Sequence, residues 1–473
     1  MLRQIPPPVP PSYYTPPMMD LAGKRVTVMG LGRFGGGIGV TRWLCSRGAD
    51  VLVTDNISPD KLSDSVAQIS PLIDSGQVAL RLGEHNVSDF TTCDLVVANA
   101  AVPKPWENRF LRSAEAAGIP ITTEITLTIQ QLQARAVTRI VGVTGSVGKS
   151  TTTAMIHHAL SKSFAASATR VVMGGNIGGS LLGELDRIDA ATIVVLELSS
   201  AMLFWLDRTL DPKWSPHVAV ITNISANHLD WHGDVAHYAA SKKRLIENQR
   251  AGDAALLGES VWDWRMATAG TCQRADAERF TLPLKLPGTH NQVNAEMAVA
   301  ACVAIAPEVD RVSIEHAIAE FPGLAHRLQL VAEDCAPGSE PCRFYNDSKS
   351  TTPEATLTAV RAIAAMPGMS LGKLHLIAGG FDKGSDLSPI ATLSGELGGL
   401  YTIGATGPAI ARGSAGRAIE CGTMQRAVLE AYKRIKRGDA LLLSPGCASW
   451  DQYTNYEQRG DEFVLLIKGS VTP

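Results

Sequence analysis

Nowhere in the chain do about 18 apolar residues follow one another, so no membrane span is expected. Charge of a single sign is missing too. Lys and Arg number 43 against 46 Asp and Glu, for a formal net charge of −3; without a broad basic field the chain does not read as a nucleic-acid binder, although anionic small molecules stay open as ligands. Cysteine is sparse and unpatterned. The eight thiols (Cys45, Cys93, Cys272, Cys302, Cys335, Cys342, Cys421, Cys447) form no C-x-x-C pair and mostly keep apolar company, so reduced, structural thiols in the cytoplasm are expected. No internal repeat or heptad is evident. The stretch Met1 to Asp20 is proline-rich and lacks a basic segment followed by an apolar one; it reads as a disordered extension, not a signal peptide.

What is present suits a soluble globular protein: 473 residues, 45% hydrophobic and 19% charged, enough for two to four domains at roughly 100–200 residues each. The central feature is Gly142-Val-Thr-Gly-Ser-Val-Gly-Lys-Ser-Thr151, between the apolar run Thr138–Val141 and a helix-like segment to Leu160. A strand, a glycine turn and a helix start make a phosphate cradle, because the turn's N–H groups and the helix N-terminus both face an anion. Gly145, Ser146, Val147, Gly148, Lys149, Ser150 and Thr151 would then contact a nucleotide, with Lys149 on the outer phosphates and Ser150 offering a hydroxyl to Mg²⁺. Val143 stands where the strict G-x-x-x-x-G-K-[ST] pattern has glycine, so the motif is a variant.

Earlier in the chain, Lys24-Arg-Val-Thr-Val-Met-Gly-Leu-Gly-Arg-Phe-Gly35 and Val51-Leu-Val-Thr-Asp55 predict strand, G-x-G-x-x-G turn, helix and strand, with an acid about 20 residues on. A nucleotide or nucleotide sugar fits there, and so does a tight turn that merely packs a helix on a sheet. Further strands are predicted at Asp94–Ala98, Ile119–Thr122, Ala191–Glu197 and His217–Asn223, with a helix over Asn108–Ala117. Alternation of this kind predicts parallel sheets flanked by helices, with chemistry at the carboxyl ends of strands. Glu197, Asn223 and His228 lie at such ends beside the glycine loop, which suits a Mg²⁺-nucleotide site; a strand-end Glu also suits a helix cap, and a lone His suits packing. Three strand-loop landmarks, Phe344–Thr352, Leu374–Gly384 and Ala440–Tyr453, predict a third α/β unit. The expected fold class is therefore α/β in three domains: a Rossmann-like domain over 21–135 after the 1–20 extension, a P-loop domain over 136–325 and a Rossmann-like domain over 326–473. Separate α/β units predict closure around ligands.

The motifs at 142–150, 174–178 (Gly-Gly-Asn-Ile-Gly), 197–200 (Glu-Leu-Ser-Ser), 222–230, 288–294, 326–327, 346–351, 379–384 and 442–453 together resemble the Mur ligase family, in the family's order and over nearly all of the chain after about residue 20. The ending 444–463 is similar to that of the D-glutamate-adding member. The resemblance implies an ATP-dependent amide ligase acting through an acyl phosphate in peptidoglycan precursor synthesis, with UDP-MurNAc-L-Ala and D-glutamate as substrates, no nucleic-acid or membrane partner, and a monomer. It implies catalytic roles for Lys149, Glu197, His228, Lys242 and Lys349, and two Mg²⁺ ions held by Ser150, Glu197, His228 and a CO₂-derived carbamate on Lys242. Asn291, Asn294, Arg327 and Asp347 are implied on ATP, Arg33, Phe34, Asp55, Asn176 and His228 on the UDP substrate, and Thr351, Lys383, Ser449 and the backbone at Tyr456 on D-glutamate. Read without the family, Lys242 is a solvated helix charge, and Lys383 and Ser449 are turn residues. The chain departs from the family's usual pattern at Val147 (Asn), at Asn99-Ala-Ala101 (Ser-Pro-Gly), at Ala201-Met202 (Phe-Gln) and at Asn227 (Asp). A folate polyglutamate ligase and a non-catalytic nucleotide-binding relative remain as alternatives; the first should lack the Gly30–Gly35 module, the second the catalytic cations.

Overall fold

A computed structural model describes residues 19–32, 36–225, 227–286, 288–334, 340–381 and 384–471. Arg33, Phe34, Lys383 and nearly all of the proline-rich extension lie outside the described residues.

The expected α/β class is what the chain adopts. β1 (Arg25–Met29), β2 (Asp50–Asp55), β3 (Val78–Leu82), β4 (Leu95–Ala98) and β5 (Ile121–Thr123) form a parallel sheet in the order β3-β2-β1-β4-β5. A second parallel sheet joins β6 (Ile140–Thr144), β7 (Val171–Gly175), β8 (Ile193–Glu197), β9 (Val218–Ile221), β10 (Ala254–Leu257) and β11 (Thr271–Arg274) in the order β11-β10-β9-β6-β8-β7. The third contains β12 (Gln329–Asp334), β13 (Cys342–Asn346), β14 (Leu374–Gly379), β15 (Gly399–Ile403), β16 (Ile419–Gly422) and β17 (Ala440–Leu443), ordered β12-β13-β17-β14-β15-β16, with only the edge pair β12–β13 antiparallel.

The continuous apolar runs follow from burial on both faces, the usual state of a parallel strand covered by helices: every residue of β6, β8, β9, β14 and β17 is buried. β8 starts two residues later than its apolar run. Thr192 Oγ1 donates to Asp189 Oδ1 at 2.9 Å, and this closes a turn before the strand can pair. Helices begin where polar side chains cap them: Thr123, Ser199 and Asp234 accept from the N–H of Thr126, Met202 and His237, which anchors each helix at a strand end or loop.

The chain divides into two compact units, one comprising residues up to Arg279 together with Asn294–Ile318, the other Phe280–Val293 with the chain from Ala319 onward. In the first unit the two sheets share apolar cores, one of which joins Met29, Phe90 and Phe110 to Phe204, Trp205 and Trp231. In the second unit both faces of the third sheet are packed. β1 and β6 sit where strand order reverses, and open α/β sheets bind ligands at such points.

Candidate active site

The loop after β6 is held open by its neighbours. Gly145 (φ 146°) and Gly148 (φ 86°) have backbones that side chains rarely adopt. A Cβ on Gly145 would lie 1.9 Å from Thr222 Oγ1, and one on Gly148 2.5 Å from Asn294 Oδ1. Asn223 braces the turn by accepting from Val147 N (3.0 Å) and donating to Val147 O (2.9 Å), and Thr222 Oγ1 donates to the same carbonyl. Ser146 Oγ accepts from Ser225 N and shares a 2.9 Å bond with the buried Tyr238 hydroxyl. Lys149 Nζ donates to Ser146 O at 2.9 Å, folded back over the turn at the start of the helix Lys149–Ser163. Ser150 is buried below it, Thr151 half-buried, and the Val147 side chain 64% exposed. Gly145→Ala is expected to cut nucleotide affinity at least roughly tenfold while the thermal midpoint falls by only a few degrees, because the added methyl displaces Thr222 and with it the loop; titration with ATP and a melting curve check both.

Beside this loop lies a buried polar cluster. Glu197, at the end of β8, is fully buried; its Oε1 accepts from Asn176 Nδ2 at 2.6 Å, while Oε2 is buried with no hydrogen-bond partner. Lys242 is 1% exposed, its Nζ 3.3 Å from Thr144 Oγ1 and 4.7 Å from the Tyr238 ring centroid. Burial, reinforced by Lys149 and opposed by Glu197, pulls the Lys242 ammonium down to about 6. At neutral pH this amine is largely uncharged. The solvated-helix reading of Lys242 is therefore overturned: its helix, Val235–Glu247, turns this position inward. His228 sits in the left-handed region (φ 52°) just before a short helical turn; desolvation and then Lys149 lower its imidazole pKa, with Asp230 opposing.

Among the described residues no group of three or more His, Cys, Asp and Glu could hold a metal ion. The donors present here are of another kind: one carboxylate oxygen without a partner, the Ser150 hydroxyl and a neutral amine. The orphaned oxygen suits a hard cation, which takes oxygen ligands, and an amine that became a carbamate would supply more of them.

Around β1, Asp55 is buried, and its carboxylate accepts from Gly32 N (3.1 Å) and Ile57 N (2.9 Å). It pins the glycine turn.

In the second unit Asp347 is buried, with Oδ1 accepting from Leu328 N and Oδ2 from the hydroxyls of Ser350 and Ser444. Burial raises its carboxyl to about 6, against the pull of those hydroxyls and of Arg327. Lys349 Nζ lies 5.1 Å over the Tyr456 ring. Thr351 lines a small cleft with Phe381, Thr406 and Cys447. Ser449 is buried, and Asn291 is buried on the helix Thr289–Ile305.

Sequence reasoning missed Arg459. It is 1% exposed and donates from Nε to Ser348 Oγ (3.0 Å), from Nη1 to the carbonyls of Cys447 and Ala448 (both 3.1 Å), and from Nη2 to Ser348 O (2.7 Å). One guanidinium thus ties the Lys349 loop to the Ser449 loop. The signals were its place in the 444–463 ending and within the terminal helix, Tyr456–Val471, neither of which names its partners.

The Mur ligase middle domain matches residues 143–261 and the Mur ligase glutamate ligase domain residues 326–447. Proteins named UDP-N-acetylmuramoylalanine–D-glutamate ligase from Roseiflexus sp. (strain RS-1) and Koribacter versatilis (strain Ellin345) are each 34% identical over 95% of this chain, covering 99% and 98% of their own lengths. The fold is shared with a UDP-N-acetylmuramate-alanine ligase of Thermotoga maritima (TM-score 0.57, 19% identity, 94% of this chain and 100% of that one) and with MurF from Acinetobacter baumannii (TM-score 0.55, 15% identity, 93% of each). The glycine loop, the buried carboxylate and the loops of the third sheet thus lie in a chain whose relatives match it nearly end to end, and it belongs to the Mur ligase family, whose members are ATP-dependent amide-forming ligases.

Proposed function

We propose that this chain joins D-glutamate to UDP-N-acetylmuramoyl-L-alanine in peptidoglycan precursor synthesis, using ATP, in the cytoplasm and as a monomer. The observation that supports this most is the buried cluster beside the glycine loop, where Glu197 keeps an unpartnered oxygen and Lys242 a neutral amine. Residues 21–135 are assigned to the UDP-sugar, 136–325 to ATP and 326–473 to the amino acid.

The physical problem is that a carboxylate must attack a triphosphate, two anions at once. Lys149 and the N–H groups of Gly145–Thr151 neutralise the phosphates. Asn291, Asn294, Arg327 and Asp347 position the nucleotide, and Arg33, Phe34, Asp55, Asn176 and His228 the UDP substrate, which is the acyl donor. The donor's carboxylate oxygen bonds to the γ-phosphorus as the bond to ADP breaks, which leaves an acyl phosphate. The amine of D-glutamate then adds to the acyl carbon, phosphate departs with its electron pair, and the amine loses a proton. Lys349 stabilises the negative oxygen of the tetrahedral intermediate. Thr351, Lys383, Ser449 and the Tyr456 backbone hold the two carboxylates of the incoming amino acid. Ser150, Glu197, His228 and a carbamate on Lys242 would hold two Mg²⁺ ions, whose charge screens the phosphates. The neutral Lys242 amine is suited to that modification, because only the unprotonated form adds to CO₂.

Phosphate release is expected with ATP, Mg²⁺, UDP-N-acetylmuramoyl-L-alanine and D-glutamate, and not with L-glutamate. Release that requires a folate and L-glutamate would replace this reading with the folate-type one, and no release under either condition would favour a non-catalytic relative.

A further inference from the structure

Two left-handed residues other than glycine, Lys104 (φ 42°) and His228 (φ 52°), lie in the first unit on loops that follow strands of different sheets. Such a backbone persists only where its surroundings enforce it. Lys104 belongs to the loop after β4, which also carries the departure Asn99-Ala-Ala101, and His228 precedes the single helical turn Leu229–His232 after β9. Asn227 Oδ1 accepts from His228 N (2.8 Å), a bond between neighbours that ties the turn to nothing further away. The long-range anchors come from the next turn. His232 Nε2 shares a 2.9 Å bond with Ser200 Oγ on the helix Ser200–Thr209. Trp231 reaches the other way: its Nε1 donates to Ala100 O (3.2 Å), and its carbonyl accepts from Lys104 N (3.3 Å). Its ring is 6% exposed and packs T-shaped against Trp106 (centroids 5.8 Å apart) and Phe204 (5.3 Å).

We infer that Trp231 is a positioning residue: its indole N–H and its carbonyl hold the turn of His228 in register with the loop after β4, so that His228 meets the UDP substrate in one fixed place. The inference rests on the assignment of His228 to that substrate. Core packing alone does not account for the residue. A phenyl ring would fill much of the same apolar space, whereas only an indole also brings a donor to the Ala100 carbonyl. The two bonds meet the loop at positions 100 and 104, and together they fix its orientation as well as its distance, which a single contact would leave free. A turn tied down on both sides, by Ser200 and by the β4 loop, keeps the left-handed His228 in place before the ligand arrives, and such preorganisation is realised as affinity. Loss of the indole donor frees one side of the turn. The bonds that brace the glycine loop, from Thr222, Asn223 and Tyr238, stay as they are.

The test is a double-mutant cycle read by calorimetric binding of UDP-N-acetylmuramoyl-L-alanine to the full chain. Trp231→Phe should weaken binding roughly three- to tenfold, the worth of one hydrogen bond, and His228→Ala at least as much. In the His228→Ala background the same Trp231→Phe change should cost less than about twofold, because the residue it positions is gone. ATP should bind Trp231→Phe within about twofold of the parent, which reports an intact glycine loop and an intact fold. If that variant loses ATP binding, Trp106→Leu, which loosens the same ring from the loop side, takes its place in the cycle with the same expectations. Unchanged binding in Trp231→Phe or in His228→Ala, or losses that multiply in the double variant, would overturn the inference and leave Trp231 a core aromatic while the UDP-site assignment stands. A parent that does not bind the UDP substrate removes both.

Discussion

Lys242→Met is expected to make the protein more resistant to denaturant while sharply reducing phosphate release. The two effects share one cause. Folding must bury an amine whose proton is held far less tightly than in solvent, about 6 against 10.5. Between those values the unfolded chain binds more protons than the native one, so the stability of the parent rises with pH. The advantage of the Met variant is therefore full below pH 6, shrinks as pH rises and is gone near 10.5. At pH 7 it should be roughly 2 kcal/mol, reduced from the full proton-linkage value because Met also loses the hydrogen bond between the amine and Thr144 Oγ1. Urea unfolding at pH 6, 7.5 and 9 measures it; a difference that grew with pH would show that the amine is not buried as described. Activity should fall roughly 100- to 1,000-fold, the usual cost of removing one electrostatic element from a charge-transfer site. Retention of full activity would sink the carbamate proposal.

Arg459→Ala is expected to destabilise the second unit by about 3–5 kcal/mol, since it removes a donor from each of the carbonyls of Ser348, Cys447 and Ala448 and opens a void. Arg459→Lys should recover only part of this, because a point-like ammonium cannot span the fork of acceptors that a planar guanidinium fills. In phosphate-release assays the Lys variant should raise the KM for D-glutamate while ATP affinity stays near the parent's. Unfolding of Arg459→Ala within about 0.5 kcal/mol of the parent would mean that the two loops hold their shape without it.

Much of the architecture was legible because it is local. The strand at Ile140–Thr144, the glycine turn and the helix after it are written in consecutive residues, and a turn that needs positive φ at Gly145 and Gly148 leaves a glycine signature. The same holds for the capped helix at Asn108, whose Oδ1 accepts from Phe110 N and Leu111 N. Lys242, by contrast, sits in Ser-Lys-Lys-Arg, which on pattern alone belongs to a solvated face. Its partner Thr144 is 98 residues away. Arg459 was illegible for the same reason, since its partner Ser348 lies 111 residues upstream.

By itself, the order of residues determined the alternation of strands and helices, the two glycine turns and the candidate site chemistry, because short-range sterics and hydrophobic periodicity act within a few positions of the chain. Only the tertiary structure decided that Lys242 is a neutral amine, that Glu197 keeps one oxygen without a partner, that Arg459 links two loops, and that Trp231 ties the turn of His228 to the loop after β4. Those are properties of desolvation and of proximity between distant segments, and the free energy of a buried charge depends on neighbours that no local pattern names.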